Sequence, residues 1–298
     1  MRRGERSLSA HVTGAAVPDM RISIITDIHH GPTSRTCPDV KDPDWPILDR
    51  IRSFVARAER ERADLILDLG DRISDVDRET DLESASAVFA AFSGFSGPVV
   101  HILGNHDVIN LTRDDHAALS GRNFGSRVVD FPDARLIAWQ VDVLLDRVAD
   151  RFPPIAGQLE WLLDTLASDD RPAIIATHVS FSGRAQDGNY YHHHKPAYAS
   201  HPDHAAVRTA VEATGRAALW LSGHSHWNAV TNIGNLVHVT LQSFTERYTT
   251  HPLTAGAHAD LCISGDSVSI EVHGNDPIYL RMPFRKSGDR PWLPPIRR

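Results

Sequence analysis

Residues 98–107 read PVVHILGNHD, a short apolar run followed at once by Gly104, Asn105, His106 and Asp107. The run is rich in β-branched and aliphatic residues and is bounded by Pro and Gly, which is typical of a buried strand. The polar group therefore begins where a strand is predicted to end. Four other segments of the chain repeat this arrangement, and together they decide the fold.

The same pattern occurs at residues 21–26 (RISIIT), 63–69 (ADLILDL), 172–177 (PAIIAT) and 217–221 (AALWL). The groups that follow these runs are Asp27-Ile28-His29, Gly70-Asp71, His178 and Gly223-His224-Ser225-His226. In open α/β sheets, ligands bind outside the carboxyl ends of the strands, where the loops converge. We therefore expect the five sequence-distant groups to be spatial neighbours that form one site.

Composition limits the class of protein. With 298 residues, of which 41% are hydrophobic, the chain can bury the core of one large α/β domain or two small ones, and we favour one. A formal net charge of -7 argues against binding to nucleic acid or to an anionic membrane, because both need a basic surface. A small anionic substrate remains compatible, since bound metal ions reverse the local field.

The cysteine count and the apolar stretches bear on location. Cys37 and Cys262 are too few for a disulfide framework and fit a reducing compartment, so we expect a cytoplasmic protein. No apolar stretch approaches the roughly 20 residues that cross a bilayer. Residues 4–19 contain no apolar core of a secretion signal, so none is expected.

Three regions are predicted along the chain: a flexible N-terminal extension at 1–19, one domain at 20–282, and a basic, proline-rich tail at 283–298. The tail suits either an extended arm that packs on the surface or on a second subunit, or a poorly ordered end. Homo-oligomerisation is thus left open.

Helical patterns at 45–62, 80–92, 158–167 and 203–214 alternate with the strands, which predicts a largely parallel sheet. After His226, five short strand patterns separated by turn residues predict a β-meander that completes a second sheet. Residues 180–202 lack clear periodicity and begin two residues after His178, so this loop could overhang the site.

The candidate metal ligands form a set of oxygen and nitrogen donors without thiolate. They are Asp27, His29, Asp71, Asn105, His178, His224 and His226. Such a set suits Mn²⁺, Fe²⁺, Ni²⁺ or Zn²⁺, and seven donors are too many for one tetrahedral ion. Two divalent ions that share a bridging carboxylate fit better, and Asp71 is the natural bridge. Two carboxylates against two divalent ions leave a net charge of about +2 for an anionic substrate.

The order Asp-x-His, Gly-Asp, Gly-Asn-His-Asp, His and Gly-His-x-His resembles the calcineurin-like metallophosphoesterases, and the resemblance covers roughly residues 20–227. It implies a four-layer α/β/β/α sandwich of two mixed sheets flanked by helices, with a dinuclear metal centre between the sheet edges. It also implies that Asp27, His29 and His226 hold one ion, that Asn105, His178 and His224 hold the other, and that Asp71 bridges them.

The same resemblance makes His106 the proton donor to the leaving oxygen or a stabiliser of the phosphoryl group, with Asp107 orienting its ring. The implied activity is hydrolysis of small phosphate esters by a metal-bound hydroxide that attacks phosphorus in line. Phosphodiesters such as cyclic nucleotides are slightly favoured. The alternatives are a phosphomonoesterase, a nucleotide diphosphatase, or a metal-binding scaffold without turnover.

Departures from subgroups of the family narrow the choice. Ser74 lies where purple acid phosphatases carry a tyrosine ligand, and Asp107 lies where protein Ser/Thr phosphatases typically carry Glu. Membership of either subgroup is therefore disfavoured.

Substrate contacts are less well specified by the sequence. Arg72 could contact a substrate phosphate, although an ion pair with Asp75 or Asp68 is the favoured alternative. His192, His193 and His194 could contact substrate, although a solvated loop is favoured. His101 lies inside a strand run and is predicted to be a packed core histidine.

Overall fold

The computed structural model describes residues 19–32, 40–146, 148–149, 151–155 and 157–290. The strands are β1 (Met20–Ile25), β2 (Leu65–Asp68), β3 (Val99–His101), β4 (Arg127–Asp130), β5 (Arg135–Ala138), β6 (Ala173–Ala176), β7 (Ala217–Ser222), β8 (Ala229–Ile233), β9 (Leu236–Thr240), β10 (His258–Ser264), β11 (Ser267–His273) and β12 (Ile278–Pro283). The helices are α1 (Ile47–Arg60), α2 (Arg78–Ala91), α3 (Arg113–Ser120), α4 (Gln158–Ala167), α5 (Pro196–Ala199) and α6 (His204–Thr214). A 3₁₀ turn follows at Ser287–Asp289.

These strands form two six-stranded sheets, in the orders β12-β11-β10-β1-β2-β3 and β4-β5-β6-β7-β9-β8. In the first sheet β1, β2 and β3 are parallel, and α1 and α2 make the crossovers between them. In the second sheet β5, β6, β7 and β9 are parallel, with β4 and β8 antiparallel at the edges. Both sheets are therefore mixed.

The sheets face each other across the main core. Ile22 and Leu67 of the first sheet share this core with Ile174 and Leu221 of the second. The opposite faces of the sheets are covered by α1 and α2 on the first and by α4 and α6 on the second. Because both faces of each central strand are buried, the strands read as continuous apolar runs. The predicted four-layer α/β/β/α sandwich is confirmed.

The amphipathic pattern predicted for residues 45–62 is seen in α1. Its buried residues are Ile47, Ile51, Phe54, Val55 and Ala58. Each large apolar side chain that is fully buried contributes about 1.5–3 kcal/mol. The other three predicted helices are also present, within a few residues of their predicted bounds.

The prediction of a single C-terminal meander is wrong. β8 and β9 join the second sheet, where β9 pairs in parallel with β7, whereas β10, β11 and β12 extend the first sheet through the antiparallel pairing of β10 with β1. Alternating apolar residues fix which side of a strand is buried, but not which sheet edge the strand joins. The sequence patterns also did not indicate the short antiparallel pair of strands β4 and β5.

The chain ends bear on the predicted extension and tail. Residues 1–18, the loop 33–39 with Cys37, and residues 291–298 lie outside the described residues. Asp19 is bonded to β10 through its backbone N–H and Ile263 O. Beyond β12, Phe284 is buried, and Gly288 N–H donates to Gly215 O at the end of α6. The first part of the predicted tail therefore packs on the domain. In the described part of the chain, no helix combines the length and the apolarity needed to cross a membrane.

His238 on β9 gives the fold a pH dependence. Its side chain is buried against Trp220, and neither of its ring nitrogens has a hydrogen-bond partner among the described residues. Burial, with Arg208 and His204 nearby, lowers its pKa to about 3. Below the ordinary histidine pKa near 6.5, the unfolded chain therefore binds a proton that the folded chain does not, and stability falls as the pH drops from about 6.5 towards 3.

We expect His238→Phe to reduce this loss of stability, by up to about 1.4 kcal/mol per pH unit in that window. Urea unfolding at pH 7.5 and pH 5 measures the change, with His194→Gln, at an exposed loop position, as the control. An unchanged pH dependence in the Phe variant would show that His238 is protonated in the folded state.

Candidate metal centre

The structure brings the predicted metal ligands together in two groups. Asp27, His29, Asp71 and His226 form the first, and Asp71, His178 and His224 form the second. Within each group the donor atoms lie within 4.8 Å of one another, and Asp71 belongs to both. Asn105 joins the second group, because its Oδ1 lies 3.1 Å from His178 Nε2. The geometry is therefore that of two adjacent sites with one shared carboxylate.

The two groups come from the two sheets. Asp27, His29, Asp71 and Asn105 follow β1, β2 and β3, while His178, His224 and His226 follow β6 and β7. Backbone N–H groups connect the two sides, since His224 N–H donates to Asp27 Oδ2 at 3.0 Å. The centre thus lies where the loops of both sheets meet.

Backbone strain is concentrated at this centre. Of the seven described non-glycine residues with positive φ, five are candidate ligands. They are Asp27, His29, Asp71, His224 and His226. A left-handed backbone costs a non-glycine residue on the order of 1–3 kcal/mol and persists only where the surrounding structure holds it. The loops are therefore held in conformations that aim these donors at a common volume.

Gly104 allows the closest approach between these loops. A Cβ atom at this position would lie 2.1 Å from Asp71 Oδ1 and 2.4 Å from Asp71 N, far inside van der Waals contact. Glycine is thus required here because the shared carboxylate lies directly against the backbone. Gly223 plays the same part for Asp27, whose Oδ2 would lie 2.6 Å from an added Cβ.

The residues fit a pair of cations. Asp71 is fully buried, and its Oδ1 accepts from His106 N–H at 2.8 Å. Its Oδ2 lies 3.2 Å from His178 Nε2 but has no hydrogen bond of good geometry among the described residues. A buried carboxylate oxygen left without a partner is costly unless a cation or proton compensates it. His29 Nε2 and His226 Nε2 also face each other at 3.1 Å. Converging donors of this kind match a divalent ion on each side of Asp71.

Three candidate histidines have their other ring nitrogen fixed by an acceptor of the protein. His178 Nδ1 lies 2.8 Å from Leu69 O, His224 Nε2 lies 2.8 Å from Tyr198 O, and His226 Nδ1 lies 2.5 Å from a Glu246 carboxylate oxygen. Such contacts fix the tautomer and orientation of metal-binding imidazoles. They leave Nε2 of His178 and His226, and Nδ1 of His224, for a cation. No sequence motif indicated Glu246.

Electrostatics keep both carboxylates ionised. Burial would raise the pKa of Asp71, but His178 and His106 outweigh it and hold that pKa well below its ordinary value. Burial is likewise outweighed at Asp27, where His226 lowers the pKa. The reciprocal effect of Asp71 raises the pKa of His178 to about 9, against the opposing effect of burial. The centre therefore offers two negative charges to bound cations at neutral pH.

His106 lies beside the two groups, but its partner differs from the one expected. Its Nδ1 lies 2.7 Å from Asp75 Oδ1, and its ring makes an edge contact with that of His29 at a centroid distance of 4.8 Å. Burial favours the neutral ring, but Asp71 and Asp75 raise the pKa of His106 above its ordinary value. The prediction that Asp107 orients this ring is wrong. The only sequence signal for Asp75 is its position four residues after Asp71.

Asp107 instead organises the backbone beneath Asp71. Its Oδ2 accepts from Asp71 N–H and Gly104 N–H, and its Oδ1 accepts from Arg72 N–H, each at 2.9 Å. It is fully buried, so its carboxylate serves to hold the loops that follow β2 and β3 in register. Asp107 therefore positions the shared carboxylate rather than the imidazole.

Arg72 is buried and paired with carboxylates. Its guanidinium is fully buried, with Nη1 2.7 Å from Asp68 Oδ2 and Nη2 3.1 Å from Asp107 Oδ2, and it packs over the ring of Phe89. The alternative of an ion pair with Asp68 is observed, and the predicted contact with a substrate phosphate is wrong. Asp68 also lies 2.8 Å from Nδ1 of His101, which is packed in the core as expected.

The histidine cluster of the 180–202 loop is divided. His192 is buried beside His224 at a centroid distance of 5.7 Å, and burial lowers its pKa to about 2. His193 and His194 are exposed. The loop therefore brings one of the three predicted contacts to the centre, and the other two face solvent.

Arg72 can be tested as a structural residue. We expect Arg72→Met to lower the free energy of unfolding by about 3–5 kcal/mol, because it leaves Asp68 and Asp107 buried without their countercharge. Chemical denaturation measures the loss, with Arg52→Met on the exposed face of α1 as the control. A variant with wild-type stability and only a weaker substrate affinity would return Arg72 to the substrate site.

A family profile and several solved structures match this chain. The sequence profile of the family described as calcineurin-like phosphoesterase matches residues 20–228. A dimetal phosphatase from Danio rerio has a similar structure, with 17% identity, a TM-score of 0.73, and coverage of 90% of this chain and 99% of that chain. No curated protein sequence matches the chain.

Two further structures share the fold. The purple acid phosphatase PPD1 of yellow lupin, Lupinus luteus, is 12% identical with a TM-score of 0.61, over 89% of this chain and 53% of that chain. GAP50, the anchor in the inner membrane complex of Plasmodium, is 13% identical with a TM-score of 0.55, over 90% of this chain and 89% of that chain. At these identities the likeness establishes the fold alone.

Proposed function

Because this chain belongs to the calcineurin-like phosphoesterase family over residues 20–228, we propose that it hydrolyses small phosphate esters with the help of two divalent cations. The observation that carries the proposal is the pair of donor groups that share Asp71. The donors are carboxylate, imidazole and amide, which suits Mn²⁺, Fe²⁺, Zn²⁺ or Ni²⁺. The catalytic domain is taken as residues 20–282, and a cytoplasmic location is proposed from the low cysteine count.

Asp71 would hold both cations, with Asp27, His29 and His226 on one side and Asn105, His178 and His224 on the other. When bound, such a pair supplies Lewis-acid chemistry, lowering the pKa of a water nucleophile and neutralising charge on the phosphoryl oxygens. The neutral amide of Asn105 adds no third negative charge to the seven donors, which preserves attraction for an anionic ester.

His106 is placed to move a proton. Asp75 occupies its Nδ1, so Nε2 is the nitrogen that would donate to the leaving oxygen. The two nearby carboxylates favour the charged imidazolium that this role needs, while bound cations would act against it. The side chain is 26% exposed, whereas those of Asp27 and Asp71 are buried, and this exposure supports a role in contacting the substrate.

A phosphodiester is the favoured substrate. A monoester dianion needs more positive charge than a diester monoanion, and Arg72, next to Asp71 in sequence, is already paired with Asp68 and Asp107. It supplies no further charge to the phosphate. The alternative activity is hydrolysis of phosphate monoesters or of nucleotide diphosphates. The alternative that is not an enzyme is a metal-binding scaffold without turnover.

The direct test is cleavage by protein loaded with Mn²⁺. We expect bis-p-nitrophenyl phosphate to be cleaved faster than p-nitrophenyl phosphate, and elemental analysis to give two metals per chain. Asp71→Ala should lower occupancy at both sites because it removes the shared ligand, whereas His29→Ala should affect mainly one.

Asp71→Ala is also the control for turnover, because nitrophenolate barely needs a proton and His106→Ala should therefore retain much of the activity on both esters. If the loaded protein cleaves neither ester above Asp71→Ala, the proposed activity is wrong, and fewer than two bound metals would favour the scaffold. If Asp71→Ala and His29→Ala each lose only one metal per chain, Asp71 does not bridge the two sites.

Asp75 gives a separate test of proton donation. We expect Asp75→Asn to slow esters with alkoxide leaving groups about 10- to 100-fold, and to slow nitrophenolate esters much less, because nitrophenolate barely needs a proton. The rates of methyl and p-nitrophenyl esters measure the difference. The double variant with His106→Ala should be no slower than His106→Ala alone. If the two losses add instead, Asp75 does not act through His106.

A further inference from the structure

Four aromatic residues form a cluster beside the metal centre, which we call the aromatic platform. They are Tyr190, Tyr191, Trp227 and Tyr248. Tyr190 lies at centroid distances of 5.0 Å from Trp227 and 6.0 Å from Tyr248, and Tyr191 lies 5.5 Å from Tyr248. Tyr190 is 63% exposed and Tyr191 is 42% exposed. The cluster therefore presents aromatic surface to solvent.

The platform adjoins the centre on both of its sides. Tyr248 lies at a centroid distance of 6.0 Å from His226, and Trp227 follows His226 directly in the chain. Tyr191 contacts His192 at 4.8 Å, and His192 in turn lies 5.7 Å from His224. Aromatic rings thus run without interruption from the candidate ligands outward to the exposed tyrosines.

The loop that carries the two tyrosines is anchored to the candidate ligand loop. Asn189 is 1% exposed, and its Nδ2 donates to Ser225 O at 2.9 Å, between His224 and His226. Its Oδ1 accepts from Tyr191 N–H and His192 N–H, each at 3.0 Å. One buried amide therefore connects the backbone at Tyr191 and His192 to the loop between His224 and His226.

We propose that the aromatic platform binds the base of a nucleoside phosphate ester while the phosphate lies at the metal centre. This inference rests on the proposed function and specifies its substrate class. A base has a flat π face that stacks on tyrosine or tryptophan, and its polar edges remain in water at an exposed platform. Tyr190 lies two ring contacts from His226, with Tyr248 between them, and in a nucleoside ester the ribose likewise separates the base from the phosphate.

An acyl chain suits this surface less well, because it needs an enclosed apolar groove and the two tyrosines lie open to solvent. Stacking is tolerant of base identity, since every base has a π face. The platform therefore selects for the presence of a base and not for one particular base.

The test compares three diesters with the same leaving group and the same charge: thymidine 5'-p-nitrophenyl phosphate, its abasic deoxyribose counterpart, and methyl p-nitrophenyl phosphate. With Mn²⁺-loaded protein, we expect kcat/KM for the thymidine ester to exceed those of the other two by at least about tenfold. Tyr190→Ala should reduce this ratio about fivefold or more, the loss expected for one stacking contact, and Tyr190→Phe should retain it.

Tyr279→Ala is the matched control, because Tyr279 is also 63% exposed but lies on β12. It should leave the ratio unchanged. A ratio near one in the wild-type protein, or a ratio that survives Tyr190→Ala and Tyr191→Ala, overturns the inference. Equal preference for the thymidine and abasic esters would assign the platform to the sugar and also overturn it.

Binding separates this inference from the proposed function. Calorimetric titration should give tighter binding of adenosine 5'-monophosphate than of ribose 5-phosphate. Tyr190→Ala should reduce the ratio of the two dissociation constants by at least about fivefold. If no diester is cleaved but this difference in binding is present, the proposed activity fails and the platform stands. If diesters are cleaved and the two ligands bind equally, the platform fails alone.

Discussion

The placement of Asp71 is the constraint on which the rest of the centre depends. Its carboxylate is buried, belongs to both donor groups, and has one oxygen without a hydrogen-bond partner in the described structure. A buried charge in that position needs positive neighbours, either protonated histidines or bound cations, to compensate it. The nearby histidines hold its pKa low, and the absence of a side chain at Gly104 lets the neighbouring loop lie against it. Geometry and charge thus both prepare this residue for shared ligation.

Beneath Asp71 lies a second, fully buried layer of charge. Arg72 pairs with Asp68 and Asp107, and Asp107 binds the backbone of the loops that follow β2 and β3. Because buried ion pairs are costly to break, this layer makes the position of the loops hard to change. The strain of the positive-φ residues above it can therefore persist. Buried residues outside the two donor groups thus keep the candidate ligands in place.

The two-sheet architecture brings together the residues of the proposed chemistry and those of the proposed base binding. The first sheet supplies both carboxylates and the amide, and the second supplies most of the imidazoles together with the loop that carries the aromatic platform. Asn189 connects that loop to the backbone between His224 and His226. This hydrogen bond connects the candidate metal centre to the proposed base-binding surface.

Local sequence patterns specify that strands alternate with helices, that polar groups follow five strands, and that their donors suit a dinuclear centre. These features follow from local periodicity and donor chemistry, which are written along the chain. Three features depend on tertiary packing. β8 and β9 join one sheet while β10, β11 and β12 join the other. Asp75 rather than Asp107 contacts His106, and Glu246 contacts His226. A strand pattern does not encode its sheet, and a carboxylate's partner depends on loop paths fixed by packing and strained backbone, which no short motif records.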